Sequence, residues 1–200
     1  RRQRQMCIRD RLWPKLAPLL ARHPRLNLEL HNDYGFVDIV QGRFDFGVRL
    51  GDGLARDIRA IPIGEAFGMA IVGAPDYFAD REMPRSADEL TAHDCINLRL
   101  PTHGNLYAWE LQQDGQPLSV KVGGRLVFNG IYQVLNAALA GHGLAYVPED
   151  LARPHIAAGR VLAVLENCWR RFPGYHLYYA AQRDPSLAMQ VVIDALRLPD

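Results

Sequence analysis

Residues 26–51, LNLELHNDYGFVDIVQGRFDFGVRLG, decide how the rest of the sequence is read. Leu26, Leu28 and Leu30 alternate with Asn27, Glu29 and His31, the period-2 pattern of a strand with one buried face. Asn32 or Asp33 then supplies an N-cap, because a short side-chain oxygen accepts the first-turn amides that a helix leaves unpaired. Phe36, Val37, Ile39 and Val40 give the apolar face of a short helix that Gly42 ends. Residues 44–50 read as a second strand. The unit is strand–helix–strand, which implies parallel pairing through a right-handed crossover. Ligands of such units bind beyond the carboxyl ends of the strands, beside the helix N-terminus. Here that locus holds His31, Asn32, Asp33 and Gly35, with Arg49 at the end of the second strand.

The same order recurs at residues 126–148. A short extended segment leads into Asn129-Gly130, and a helix follows with Ile131, Val134, Leu135, Ala138 and Leu139 at helical spacing. Gly141 and Gly143 stop it, and an apolar strand occupies 144–147. Two such units predict two α/β lobes, each presenting a helix N-terminus. Around them the pattern predicts a helix over 12–22, kinked or starting late at Pro18, and strands at 58–63, 68–73 and 95–100. Ser86 and Glu89 have capping-box spacing, and Asp114-Gly115 marks a hairpin between 107–112 and 118–122. A helix at 148–157, strands at 161–165 and 175–180, and a closing helix at 185–196 complete the chain. That last helix turns Leu187, Val191, Val192, Ala195 and Leu196 inward.

Composition narrows the class. Two hundred residues at 48 % apolar content support a substantial core, as one domain or two small lobes. No run approaches the roughly 18 apolar residues of a membrane span, and no secretory signal opens the sequence. Cys7, Cys95 and Cys168 are odd in number and far apart, which argues against a disulfide framework and for a reducing, cytoplasmic setting. The net charge of +1 hides an asymmetry: residues 1–11, RRQRQMCIRDR, carry +4, and the remainder carries −3. A mildly acidic body is a poor partner for phosphate backbones. The basic run itself reads either as a nucleic-acid-binding arm or as a solvated tail, linker remnant or non-native segment.

No catalytic constellation emerges. The seven histidines form no metal-ligand spacing, and the three serines, Ser86, Ser119 and Ser186, lie in no nucleophile elbow. Cys95, close to His93, suggests a buried strand thiol over a nucleophile. Gly141-His142-Gly143 follows a helix, the reverse of a dinucleotide fingerprint, so no cofactor is implied. Glu65 and Glu110 lack a paired acid or base. Arg49 stands apart, because an arginine ending an apolar strand needs an acceptor. That acceptor is either a ligand or an internal carboxylate such as Asp33 or Asp52. Arg99, Thr102 and Tyr107 flank the loop at Pro101, as polar anchors or as ordinary loop residues.

The segments HPRLNLEL, VDIVQGRFDFGVRLG, VGAPDYF, PRSADELTAHDCINLR, AALAGHGLAYVPEDL and GRVLAVLENCW follow one another in an order that resembles the effector-binding domain of LysR-type transcriptional regulators. The resemblance covers about residue 12 to the end. It implies a type 2 periplasmic-binding-protein fold, α/β, with two lobes and a ligand cleft between them. Lobe I would be residues 12–64 and 170–200, lobe II residues 65–169, with 1–11 outside the domain. Carried over by position, the effector site would use Asn32 and Arg49 from lobe I, and Arg99, Pro101, Thr102, Phe128, Asn129 and Gly130 from lobe II. The resemblance further implies a small organic effector, anionic given Arg49 and the helix N-termini. It implies a homodimer or homotetramer, and DNA read only by a helix–turn–helix domain absent from this sequence. No enzyme activity, metal or membrane attachment is expected. The alternative is a solute-binding protein of the same fold, exported to feed a transporter. Three features depart from the family pattern. Residues 1–11 do not resemble its opening strand, Gly130 replaces a common acidic residue, and Ala180 stands where proline is frequent.

Overall fold

The computed structural model describes residues 12–31, 39, 42–50, 57–100 and 105–198. The chain divides into two units, residues 1–66 with 173–200, and residues 67–172.

In the first unit, helix α1 (Trp13–Arg22) buries Leu16 and Leu19. Pro14 sits in its first turn, where a missing N–H is harmless. Of the expected kink or late start at Pro18, the late start does not occur: the helix begins at Trp13 and includes Pro18, which has no N–H to offer the carbonyl of Pro14. A three-stranded sheet places β11 (Tyr175–Ala180) between β1 (Gly47–Leu50) and β2 (Ile58–Pro62), antiparallel to both. Helix α4 (Leu187–Leu196) starts at Ser186, whose Oγ accepts the Met189 amide at 3.3 Å. Its buried face is Met189, Val192, Ile193 and Leu196, while Leu187 is 88 % exposed. The inward placement of Leu187 is therefore corrected. It lies two residues, about 200° of helical turn, from Met189, so the two cannot share a face.

The strand expected at 26–30 is also corrected. The segment has no regular secondary structure and joins no ladder among the described residues, and β1 pairs antiparallel with β11 in place of a parallel partner. The alternation persists only as partial burial, with Leu26 and Leu28 half-buried and Leu30 42 % exposed. A period-2 pattern reports which face is covered, not which strand lies alongside. A cavity of about 720 Å³ is lined by residues 26–31, by Phe46 to Val48 of the β1 region, and by Leu16 and Val192 from the helices. Most of the helix expected between the two segments lies outside the described residues.

The second unit is built around β3 (Phe67–Gly73), buried at every position. It pairs antiparallel with β8 (Ala145–Pro148), β9 (Leu162–Val164) and β10 (Arg171–Phe172). Ile71, Val72 and Val147 are fully buried there, each worth about 1.5–3 kcal/mol of apolar transfer. A parallel pair joins β4 (Asn97–Leu98) to β7 (Val127–Phe128), and a parallel bridge joins Cys95 to Leu144. Helix α2 (Ile131–Leu139) connects β7 to β8, so the strand–helix–strand unit read at 126–148 is present. Gly141 ends α2 with φ 78°, and Gly143 has φ 145°. A Cβ on Gly143 would overlap the carbonyl oxygen of Asp94, so only glycine fits.

Strands β5 (Trp109–Gln113) and β6 (Gln116–Val120) form the expected hairpin. Asp114 and Gly115 both have positive φ, the requirement of a type I′ turn. Helix α3 (Glu149–Ala157) begins with two acidic residues, favourable at a helix N-terminus. The capping box at Ser86 does not form. A single 3₁₀ turn spans Asp88–Ala92, the Ser86 backbone carbonyl accepts the Glu89 amide, and the Glu89 carboxylate accepts the Arg85 amide at 2.8 Å. The strand expected at 95–100 shortens to β4 with bridges at Cys95 and Arg99.

Candidate functional site

In the second unit, four of the residues singled out in the sequence converge. The parallel β4–β7 pair ends with Leu98 beside Phe128, and the Arg99 amide donates to the Phe128 carbonyl at 2.7 Å. Asn129 and Gly130 follow at once, and α2 starts at Ile131. The locus is thus the carboxyl end of two parallel strands at a helix N-terminus, where loops bind ligands in α/β sheets. Arg99 and Asn129 are exposed, Phe128 is half-buried and Gly130 is buried. An antiparallel bridge to Leu106, with the Tyr107 amide donating to the Leu98 carbonyl at 2.8 Å, returns the chain to the same edge. Pro101 and Thr102 lie outside the described residues.

No side chain caps α2 at Gly130. First-turn amides of a helix have no partner within the helix, and the aligned peptide dipoles put roughly half a positive charge at that end. The Oε1 of Gln133, the far end of a flexible side chain, is folded back over Gly130 into the space a Cβ there would take. With no carboxylate at Gly130, the helix end keeps its positive character beside Arg99. Gln133 was not legible as a site neighbour, although its place three residues after Gly130 is where a side chain reaches back toward an N-cap.

In the first unit, Arg49 lies on β1, opposite His176 of β11. It is half-buried, and its guanidinium carbon stands 4.8 Å from the centroid of the Tyr178 ring. Asn32, Asp33, Gly35 and Asp52 lie outside the described residues. His31 is exposed, its Nε2 2.6 Å from Oε1 of the still more open Glu29. Tyr178 and Gly47, both beside Arg49, escaped the sequence reading because strand partners cannot be paired from sequence alone.

The nucleophile candidates resolve as packing. Cys95 is 1 % exposed, and burial pushes its thiol up to about 12, with the Asp94 charge adding to the effect. Cys168 is likewise buried and raised, by desolvation first and Asp114 second. Neither is a thiolate at neutral pH. His93 Nδ1 meets the Tyr77 hydroxyl at 3.1 Å, and Ser186 serves as a cap. Among the described residues no cluster of His, Cys, Asp or Glu is placed to hold a metal ion, and no helix is long and apolar enough to cross a membrane.

Comparison with known proteins gives a consistent picture. The family described as the LysR substrate binding domain matches residues 6–198. A putative transcriptional regulator from Pseudomonas aeruginosa is 49 % identical over 189 residues, 94 % of this chain and 62 % of its own length. The HTH-type transcriptional regulator PgrR of Escherichia coli is 42 % identical over 186 residues, 93 % of this chain and 62 % of its own length. The chain therefore spans somewhat under two thirds of these relatives. Among solved structures, the regulatory domain of an AphB variant from Vibrio vulnificus superposes with a TM-score of 0.80 at 22 % identity, covering 96 % of this chain and 92 % of that one. The regulatory domain of CrgA from Neisseria meningitidis does so at 0.77 and 20 %, covering 97 % and 95 %. At these identities the likeness establishes the fold, the periplasmic-binding-protein-like α/β fold of LysR regulatory domains.

Proposed function

The chain belongs to the family of LysR substrate-binding domains, and on that premise we propose that it is the effector-sensing module of a cytoplasmic transcriptional regulator. A helix–turn–helix domain of the longer protein would read DNA, and this module would bias it according to effector occupancy. The observation that carries the reading is the N-terminus of α2, with no side-chain cap, at the end of the β4–β7 pair beside Arg99, Phe128 and Asn129. We assign effector contacts to these residues and Gly130, and to Arg49. Asn32, Pro101 and Thr102 are retained in the assignment from their place in the sequence. Two arginines and a positive helix end favour a small organic anion, a carboxylate being the simplest.

An effector regulates only through different affinities for two states of its receptor. In this family-wide arrangement those states belong to a homodimer or homotetramer, which we propose here. Sedimentation of the chain at high concentration is expected to show at least a dimer, and monomer alone would contradict it.

The test is a thermal-melt screen against aromatic and aliphatic carboxylates. A ligand at 100 times its Kd adds about 2.7 kcal/mol, a rise of roughly 5–10 °C at about 2–4 °C per kcal/mol. One chemical class is expected to raise the melt saturably. A cooperative melt that no member of the panel moves would count against a carboxylate effector.

A further inference from the structure

Tyr178 stands opposite Gly47 in the β1–β11 ladder, and Arg49 lies two residues further along β1. Opposed residues of an antiparallel pair project to one face, as do residues two apart, so all three share a face and the long side chains meet diagonally. The Tyr178 ring acts on both neighbours. Its Cζ, Oη and Cε1 fill the space that a Cβ on Gly47 would need. Its face lies 4.8 Å from the Arg49 guanidinium carbon, within cation–π range. Tyr178 is only 4 % exposed, so the ring is held by its surroundings and not by the arginine.

We propose that Tyr178 is a positioning residue for Arg49, and that position 47 is glycine because the ring that orients Arg49 lies across it. The proposal rests on the reading of Arg49 as an effector contact. A free arginine must surrender its rotamer freedom when an anion binds, whereas one already laid along a ring has surrendered it beforehand, and binding gains accordingly. Glycine is weak in a strand interior, and close approach by another group is one reason a strand keeps it. Here the approaching group is identified.

The experiment uses the whole chain with two readouts. The first is the Arg49 Nε–Hε resonance, assigned by its disappearance in Arg49→Ala. The ring is expected to displace it upfield in the wild type. Tyr178→Phe keeps the ring and is expected to keep the displacement; Tyr178→Leu and Gly47→Ala are expected to lose it. Gly47→Ala retains the tyrosine and so stands in if Tyr178→Leu fails to fold. The second readout is benzoate affinity by calorimetry. We expect Arg49→Ala to weaken it more than tenfold, Tyr178→Leu and Gly47→Ala about three- to tenfold, and Tyr178→Phe less than twofold. An unmoved Hε resonance in the leucine and alanine variants overturns the proposal. So does wild-type affinity in Tyr178→Leu beside a tenfold loss in Arg49→Ala, which would leave Arg49 as a ligand contact. Unchanged benzoate affinity in Arg49→Ala removes the effector reading of Arg49 instead, and the resonance then decides positioning alone.

Discussion

The Tyr77 hydroxyl and the His93 ring share one hydrogen bond. The Tyr77 oxygen accepts the Asp94 amide at 3.0 Å and stands 3.1 Å from His93 Nδ1. In neutral His93 with its proton on Nε2, Nδ1 accepts the Tyr77 hydroxyl proton. Burial lowers the His93 pKa, with the Arg81 charge second, against weaker opposing pulls from Glu89 and Asp94. The unfolded histidine titrates near 6.5, so below that pH the unfolded chain takes up a proton that the fold resists. Stability is therefore complete above about pH 6.5 and is lost as pH falls toward the lowered folded value. His155, lowered by burial and then by Arg160, adds a share of the same sign. Denaturant melts between pH 7 and 5 are expected to show this loss, and His93→Asn, which keeps an acceptor, to reduce its slope. A slope unchanged by that substitution would show that His93 takes no part. Cys95, with its thiol near 12, is expected to resist iodoacetamide at pH 8 until the chain unfolds; rapid labelling of Cys95 itself in the native chain would contradict the burial described. The sequence showed Cys95 close to His93, but not Tyr77, sixteen residues away, whose hydroxyl meets the histidine.

Among the elements, those whose form is local were legible. The Asp114-Gly115 turn demands positive φ from both residues, and the short apolar run bounded by Gly68 and Gly73 reads as a strand, which β3 is. Elements defined by a partner were not. Leu26 to Leu30 has the alternation of a strand and no ladder among the described residues, and Leu187 fits an apolar stripe yet faces solvent. Hydrogen exchange separates the two kinds. Amides of Leu177 and Tyr179, in a strand paired on both sides, are expected to exchange orders of magnitude more slowly than those of residues 27–31. Equal protection would mean that 26–31 is a paired strand after all. Lys15 is another case of distance. Its ammonium donates to the last carbonyl of α4, Leu196, at 3.1 Å, and to Ile63 at 3.2 Å, tying α1 to the negative end of a helix 181 residues away. Lys15→Met is expected to lower stability by about 1–2 kcal/mol, read as a fall in the denaturation midpoint; no change would show that solvent serves those carbonyls as well.

At the scale of the whole molecule, the second unit is one continuous stretch inserted into the first, and its ends meet. Phe67 pairs with Phe172 and Gly68 with Arg171, so residues 67–172 leave and rejoin the rest of the chain side by side. With its own buried strand β3, this unit is expected to fold alone and melt cooperatively, and a fragment with no cooperative transition would contradict that independence. The fold class was legible because several short motifs stood in family order along most of the chain, and the match over residues 6–198 bears it out. The candidate site was legible only in part. Asn129-Gly130 announces a helix start, which the structure joins to Arg99 and Phe128, whereas Tyr178 beside Arg49 and Gln133 over Gly130 depend on pairing and side-chain return that no linear pattern carries. The central claim is that this module binds a small anion without changing it. Isothermal titration of the melt-screen carboxylate into the chain, with the ligand recovered and weighed by mass spectrometry, tests it most directly. One saturable site per chain is expected, with affinity reduced at least tenfold by Arg99→Ala or Arg49→Ala and the ligand returned intact. Ligand recovered as product, or saturable binding indifferent to both substitutions, would contradict it.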